Sequence, residues 1–124
     1  MGEIEHQHGG EGAQGAALSN AVVHLIRDYT GRGPTQARTH VLGDLVTVVT
    51  RDSLTRGEQS LVRDGFVEMV LATRKAYQGT MRQALVEAVE GITGRKVIAF
   101  MSDNHIDPDV AVESFVLAPE GDRA

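Results

Sequence analysis

Apolar residues recur every three to four positions along residues 55–92, a segment without proline. This period is typical of an amphipathic helix. The apolar stripe consists of Leu61, Gly65, Met69, Ala72, Ala76, Tyr77, Met81, Leu85, Ala88 and Ile92. A capping box formed by Thr55 and Glu58 predicts where the helix begins. Gly94 predicts where it ends, because helices commonly stop at a left-handed glycine.

This predicted helix is too long for one compact chain of this size to bury its apolar stripe. A single helix over residues 55–92 would extend about 57 Å, whereas a compact monomer of this size is only about 35 Å across. Either the helix breaks, with Gly79 as the expected place, or a second copy covers the remainder. No opposite charges stand at helical spacing to stabilise the segment alone. We therefore favour a homodimer that packs through the long helix.

The remaining patterns predict one shorter helix and two strand pairs. Residues 16–29 place five apolar side chains on one helical face: Leu18, Val22, Leu25, Ile26 and Tyr29. Strands are predicted over residues 36–42 and 45–50, joined by a turn at Gly43 and Asp44. Two further strands are predicted over residues 97–101 and 110–117. The first of these is apolar on both faces, which predicts a central strand.

The element order predicts an α+β fold. The order is α-β-β-α-β-β, with a four-stranded antiparallel sheet packed on one short and one long helix. The tripeptide Thr-Gly-Arg ends both helices, at residues 30–32 and 93–95, which suggests an internal duplication. We expect residues 1–15 to form a disordered glycine-rich tail, residues 16–119 a single domain, and residues 120–124 a frayed C-terminus.

Composition narrows the function classes. The chain has 124 residues, a net charge of −5 and no cysteine, which excludes disulfides and thiolate chemistry. Aromatic residues make up 4% of the chain, too few for a base-stacking platform, so we expect no nucleic-acid binding. No apolar run approaches the roughly 20 residues of a membrane span, and the N-terminus has no secretory signal. We expect a cytoplasmic protein without direct membrane insertion.

Two groups of polar residues are candidate binding sites. Arg32, Arg38, Arg95 and Lys96 lie near the predicted helix ends and could converge on a small anion. The alternative is that these cations only complement the helix C-termini.

The second group, Asp103, His105, Asp107 and Asp109, belongs to a polar loop between the last two strands. Alternating oxygen ligands can bind a hard cation. The calcium-loop pattern fails, however, because Pro108 replaces the required glycine and Ser114 the final glutamate. An ordinary polar hairpin loop is the competing interpretation. No nucleophile elbow or phosphate-binding loop occurs, so we expect neither catalysis nor a cofactor, and an enzyme built on His40 and His105 is the weakest hypothesis.

Six blocks of sequence together resemble one bacterial family. They are TGRGPT at 30–35, GDLV at 43–46, LT at 54–55 with Glu58, TGRKV at 93–97, SDNHIDPD at 102–109, and FVL at 115–117. In this order and spacing they resemble the MpsC family, formerly a domain of unknown function, over residues 16–119. The family is named after a component of a sodium-translocating, membrane-potential-generating system.

The resemblance implies a role but no site residues. It implies a non-enzymatic accessory or regulatory component of a membrane cation-translocating system linked to inorganic-carbon uptake. Its partners would be a second copy of itself and antiporter-like membrane subunits, and its location cytoplasmic, free or peripheral at the inner face of the membrane. The alternative is a free-standing sensor that holds a small anion in an arginine-lined site.

Overall fold

The computed structural model describes residues 12–120, which form three helices and four strands. In chain order these are α1 (Gly12–Thr30), β1 (Gln36–Leu42), β2 (Leu45–Arg51), α2 (Arg56–Arg63), α3 (Val67–Thr93), β3 (Val97–His105) and β4 (Val110–Leu117). The strands form one antiparallel sheet of order β1-β2-β4-β3. The predicted α+β class and four-stranded antiparallel sheet are confirmed.

The core lies between one face of the sheet and the helices α1 and α3. Leu18, Val22 and Ile26 of α1 are buried against inward residues of the sheet, as their helical spacing predicts. The rings of Phe100 and Phe115, on the adjacent strands β3 and β4, have centroids 5.0 Å apart and close the other half of the core. Burial of these side chains is the main driving force for folding.

The predicted long helix is broken, but at Gly65 rather than at Gly79. Gly65 has a φ of +91°, and it separates α2 from α3. The N–H of Gly65 donates to the Val62 carbonyl, and the N–H of Phe66 donates to the Leu61 carbonyl at 2.8 Å. This pair of bonds is a Schellman motif, which ends a helix at a left-handed glycine. Gly79 remains inside α3, where the helix tolerates it at an exposed position.

The break also changes which residues of α3 face the core. Met69 is 52% exposed, and Ala72 and Ala76 are exposed as well, so the first half of the predicted stripe is wrong. The buried stripe consists of Val70, Arg74, Met81, Leu85 and Val89. The predicted helical phase is wrong because the apolar pattern runs on through Gly65, where the helix stops.

Strand β3 is an edge strand, contrary to the prediction of a central one. The central positions belong to β2 and β4, which pair antiparallel. Ile98 and Met101 of β3 are 58% and 52% exposed, so the apolar run reflects an uncovered surface rather than burial on both faces. The strand also continues to His105, through residues that the sequence predicts as a loop.

Helix α1 begins at Gly12, four residues before the predicted start at Ala16. Residues 12–15 are therefore helical and Gly15 is buried, because packing of the first turn outweighs the poor helix propensity of glycine. Residues 1–11 of the predicted tail and residues 121–124 of the predicted frayed end lie outside the described residues. Within residues 12–120, no helix is both long enough and apolar enough to span a bilayer.

The helix break gives a matched pair of glycine substitutions. Gly65→Ala should destabilise the fold by about 1–2 kcal/mol, because an L-residue at positive φ is strained. Gly79→Ala should stabilise it by about 0.5–1 kcal/mol, because alanine is the better residue inside a helix, and a Cβ there meets no atom within 4 Å. Urea denaturation of both variants measures the difference. Equal effects of the two substitutions would contradict the assigned break.

Candidate functional site

A buried arginine joins four separate segments of the chain. Arg74 of α3 is 6% exposed. Its Nε donates to Asn104 Oδ1 of β3 at 2.9 Å, its Nη1 to Glu58 Oε1 of α2 at 2.8 Å, and its Nη2 to the Ser53 hydroxyl at 2.7 Å. Every nitrogen of the guanidinium therefore has a partner. A buried guanidinium is tolerated only when it is paired and hydrogen-bonded in this way.

The capping box of α2 positions the carboxylate that Arg74 binds. The Thr55 hydroxyl accepts from the Glu58 N–H at 3.1 Å, and the Thr55 N–H donates to Glu58 Oε1 at 2.8 Å, as predicted from the sequence. The same Oε1 accepts from Arg74. One glutamate thus caps the helix and receives the buried cation, so the start of α2 is attached directly to α3.

A second carboxyl group lies beside this cluster on the inner face of the sheet. Glu113 of β4 is 3% exposed and accepts a hydrogen bond from the Ser102 hydroxyl of β3. Burial raises the pKa of the Glu113 carboxyl from 4.5 to about 7, while the bond from Ser102 and the charge of Arg74 oppose this shift only in part. Glu113 therefore exchanges a proton near neutral pH.

Glu113, Arg74 and Asn104 also line a small, partly open cavity. Its volume is about 10 Å³, close to the least that holds one water molecule. Gln78 of α3 lines the same cavity, and its Nε2 is buried without a partner among the described residues. The carboxyl group with the raised pKa thus lies in the same pocket as the Arg74 guanidinium, which is hydrogen-bonded to α2 and β3.

Both buried groups have a signal in the sequence, although neither is among the predicted site residues. Arg74 follows Val70 by four positions and precedes Met81 by seven, so it lies on the buried stripe of α3. Glu113 alternates with Phe115 and Leu117 on the inward side of β4. A charged residue in phase with buried apolar residues is the signal of an internal polar site.

The predicted anion-binding residues do not come together. Arg32 forms an ion pair with Asp52 at 2.8 Å, beside the start of β1. Arg95 forms an ion pair with Asp44, in the turn at the other end of the β1–β2 hairpin. The two guanidiniums therefore lie at opposite ends of a hairpin about 20 Å long, and each already contacts a carboxylate of this chain.

The remaining two cations of that group are separate again. Arg38 lies on the face of the sheet away from the helices, and Lys96 is exposed between α3 and β3. A shallow cavity of about 220 Å³ surrounds Arg38 on that outer face, lined also by Gln36, Ala37, His40, Val49 and Arg51. The cationic surface is thus formed by β1 and β2, rather than by the helix ends.

Three of the four predicted metal-binding residues form hydrogen bonds within the chain. Asp109 accepts a hydrogen bond from the Leu54 N–H at 3.0 Å, and Asp103 accepts one from the next N–H along the chain. The His105 ring bonds to a backbone carbonyl of its own hairpin loop, which also contains Asp107. Across residues 12–120, no three His, Cys, Asp or Glu side chains are grouped so that they could hold a metal ion.

Replacement of Arg74 should strongly destabilise the protein. Arg74→Ala leaves Glu58 buried without its cation, a change that typically costs about 3–5 kcal/mol. The control is Arg82→Ala, since Arg82 is an exposed arginine of α3 that stacks over Phe100 at 5.2 Å and should contribute less than about 1 kcal/mol. Urea denaturation measures both. Similar losses in the two variants would show that the buried cluster has no special role.

The raised pKa of Glu113 predicts a stability that falls with rising pH. Between pH 4.5 and about 7 the unfolded carboxyl is ionised while the folded one keeps its proton, so the folded state binds more protons. Stability should fall across this window by up to about 3 kcal/mol and level off above it. Glu113→Gln removes the ionisable group and with it this loss. The stability of the variant relative to that of the wild type should therefore increase as pH rises.

The measurement is urea denaturation at several pH values through that window. Glu87→Gln, which neutralises an exposed carboxyl of α3, is the matched control. Its stability should change with pH in the same way as that of the wild type. A Glu113→Gln curve that also runs parallel to the wild type would contradict the assignment of a raised pKa.

Comparison with known proteins relates this fold to a described family. The model of one family, described as "Na+-translocating membrane potential-generating system (MpsC)", matches residues 11–119. No curated protein and no solved structure matches the chain. The family match covers all seven helices and strands, and it agrees with the resemblance of the six sequence blocks. The chain belongs to the MpsC family.

Proposed function

We propose that this chain is a non-enzymatic accessory component that docks on a membrane cation-translocating system, linked to inorganic-carbon uptake, and regulates it. The observation that carries the proposal is the family match over residues 11–119, whose description names a Na⁺-translocating system that generates membrane potential. The chain would act at the cytoplasmic face of the membrane, on antiporter-like subunits that carry the ion.

The corner between α2 and α3 is the surface best suited to such docking. Phe66 and Met69 are 49% and 52% exposed at this corner, which is unusual for large apolar side chains that stand close together in sequence. Aromatic side chains and methionine are enriched at protein interfaces. The corner is also adjacent to the Arg74 cluster, since α2 is attached to α3 through Glu58.

The buried cluster supplies a means of regulation. Proton transfer at Glu113 near neutral pH changes the charge beside Arg74, and Arg74 holds the segments on both sides of the corner. A chain that serves a system which moves cations would in this way respond to the local pH. The alternative, a free-standing anion sensor, loses support because Arg32 and Arg95 already bind carboxylates of the chain itself.

The test is affinity purification of the tagged protein from gently solubilised membranes of its own host, with mass spectrometry of the recovered proteins. The wild type should recover antiporter-like membrane subunits. The variant Phe66→Ser/Met69→Ser should lose them, because the substitutions remove the apolar contacts of the corner. Ile98→Ser changes an equally exposed side chain on the edge strand and should keep them. Recovery of the tagged protein alone in the wild type would overturn the proposal.

A further inference from the structure

The face of the sheet away from the helices carries two apolar residue pairs, one on each side of the hydrogen-bonded hydroxyls of Thr47 and Ser114, and no described residue covers them. Val49 of β2 pairs directly with Val112 of β4, and Leu45 pairs with Val116, all four pointing outward. Leu42, at the end of the hairpin, is 78% exposed. We call this surface the open face. Antiparallel sheets commonly leave one face to solvent, but such faces are usually polar.

Two opposite charges stand at the two edges of the open face. Arg38 of β1 pairs with Val49, Val49 with Val112, and Val112 with Asp103 of β3, so one row across the sheet runs from Arg38 to Asp103. The row spans three strand spacings, about 14 Å, which is too far for these two side chains to meet within one chain. Within residues 12–120 neither side chain forms an ion pair.

A second copy of the chain would cover the exposed apolar residues and also pair the two charges. A rotation of 180° about an axis between the two faces and parallel to the strands lays β1 over β3 of the other copy, and β2 over β4. Each row of paired residues then lies opposite the same row of the second copy. Val49 lies opposite Val112 of the second copy, and Arg38 lies opposite Asp103 of the second copy, twice by symmetry. We propose that the chain forms a homodimer through the open face in this arrangement.

The other rotation that keeps the strands aligned fits poorly. An axis perpendicular to the strands would place Arg38 opposite His40 of the second copy and Arg51 opposite Leu45, with Asp103 against Met101. Arg38 would lose water without gaining a carboxylate, which is unfavourable. Charge complementarity therefore selects the axis along the strands.

The size of the open face sets the expected affinity. Four strands of about seven residues present an area of about 400 Å² per copy, about 800 Å² in total, which is smaller than standard stable interfaces and typical of a weak, transient dimer. We expect a dissociation constant in the micromolar range that increases with salt, because the two ion pairs lie at the margins. We propose this interface in place of the dimer through the long helix that the sequence suggests, because the open face offers complementary charges.

A charge exchange tests the arrangement directly. Arg38→Asp and Asp103→Arg, each alone, place like charges opposite one another at two symmetric positions and should raise the dissociation constant at least about tenfold. The double variant Arg38→Asp/Asp103→Arg restores opposite charges and should return to within about threefold of the wild type. Sedimentation equilibrium over a micromolar concentration series measures all four proteins, and circular dichroism checks that each is folded.

Arg63→Asp is the matched control, since it reverses an exposed charge on α2, remote from the open face, and should leave the dissociation constant unchanged. Asp103→Asn is a milder variant that keeps the test valid if a charge reversal impairs folding, and it should weaken the dimer by a smaller factor. A wild type that stays monomeric throughout the series overturns the proposal. So does a dimer that is insensitive to both single variants, or a double variant as weak as the single ones. Binding of inorganic phosphate by a monomer through Arg38 and Arg51 would likewise overturn it, and would assign the face to an anion.

Discussion

The guanidinium of Arg74 is the constraint on which the arrangement of this protein depends. A buried cation must be fully paired, and its three hydrogen bonds reach α2, the segment before α2 and β3. Those segments have few other reasons to meet, because α2 has a single buried residue, Glu58. The position of α2 is thus determined by a polar network rather than by an apolar face. Hydrogen-bonded networks of this kind define one geometry, since a partly satisfied alternative is costly.

The left-handed glycine between α2 and α3 makes this network possible. If residues 55–92 formed one helix, the capping glutamate and Arg74 would be sixteen positions apart, at about 1.5 Å per residue along a common axis, and could not touch. Gly65 turns the chain so that Glu58 Oε1 and Arg74 Nη1 lie 2.8 Å apart. A local backbone feature and a buried ion pair therefore support each other.

The two halves of the chain are built alike around the sheet. Thr30 and Thr93 each donate to the carbonyl four residues before and accept from the N–H two residues after, so both Thr-Gly-Arg segments end a helix by the same bonds. The strand order β1-β2-β4-β3 is that expected of two α-β-β units joined through their second strands. Helices α1 and α3 cover the inner face of the sheet, whereas no described helix covers the outer face. The uncovered surface is thus a direct consequence of the architecture.

Local patterns in the sequence predicted several features that neighbours along the chain decide, although they missed the helix stop at Gly65. The capping box of Thr55 and Glu58 and the helix ends at Gly31 and Gly94 are interactions between residues a few positions apart, and they are confirmed. The fold class follows from the order of these elements. The strand order could not be predicted, because the pairing of β2 with β4 joins residues about sixty positions apart. An apolar run such as that of β3 also occurs both in central strands and in exposed edge strands.

The candidate site likewise combines features that the sequence predicts with features that only the fold determines. The sequence placed cations near helix ends, but which carboxylate each one meets depends on the hairpin, and Arg32 and Arg95 are bound at its opposite ends. Arg74 and Glu113 are in phase with buried apolar residues, a signal present in the sequence, yet their partnership with Ser53, Asn104 and Ser102 required the folded sheet. The sequence by itself determined the order of the strands and outer helices along the chain, the capping box of α2, the helix ends at Gly31 and Gly94, and the family. Only the tertiary structure decided the edge strand, the buried charges and the raised pKa of Glu113, because these arise from burial and from contacts between residues distant in the chain.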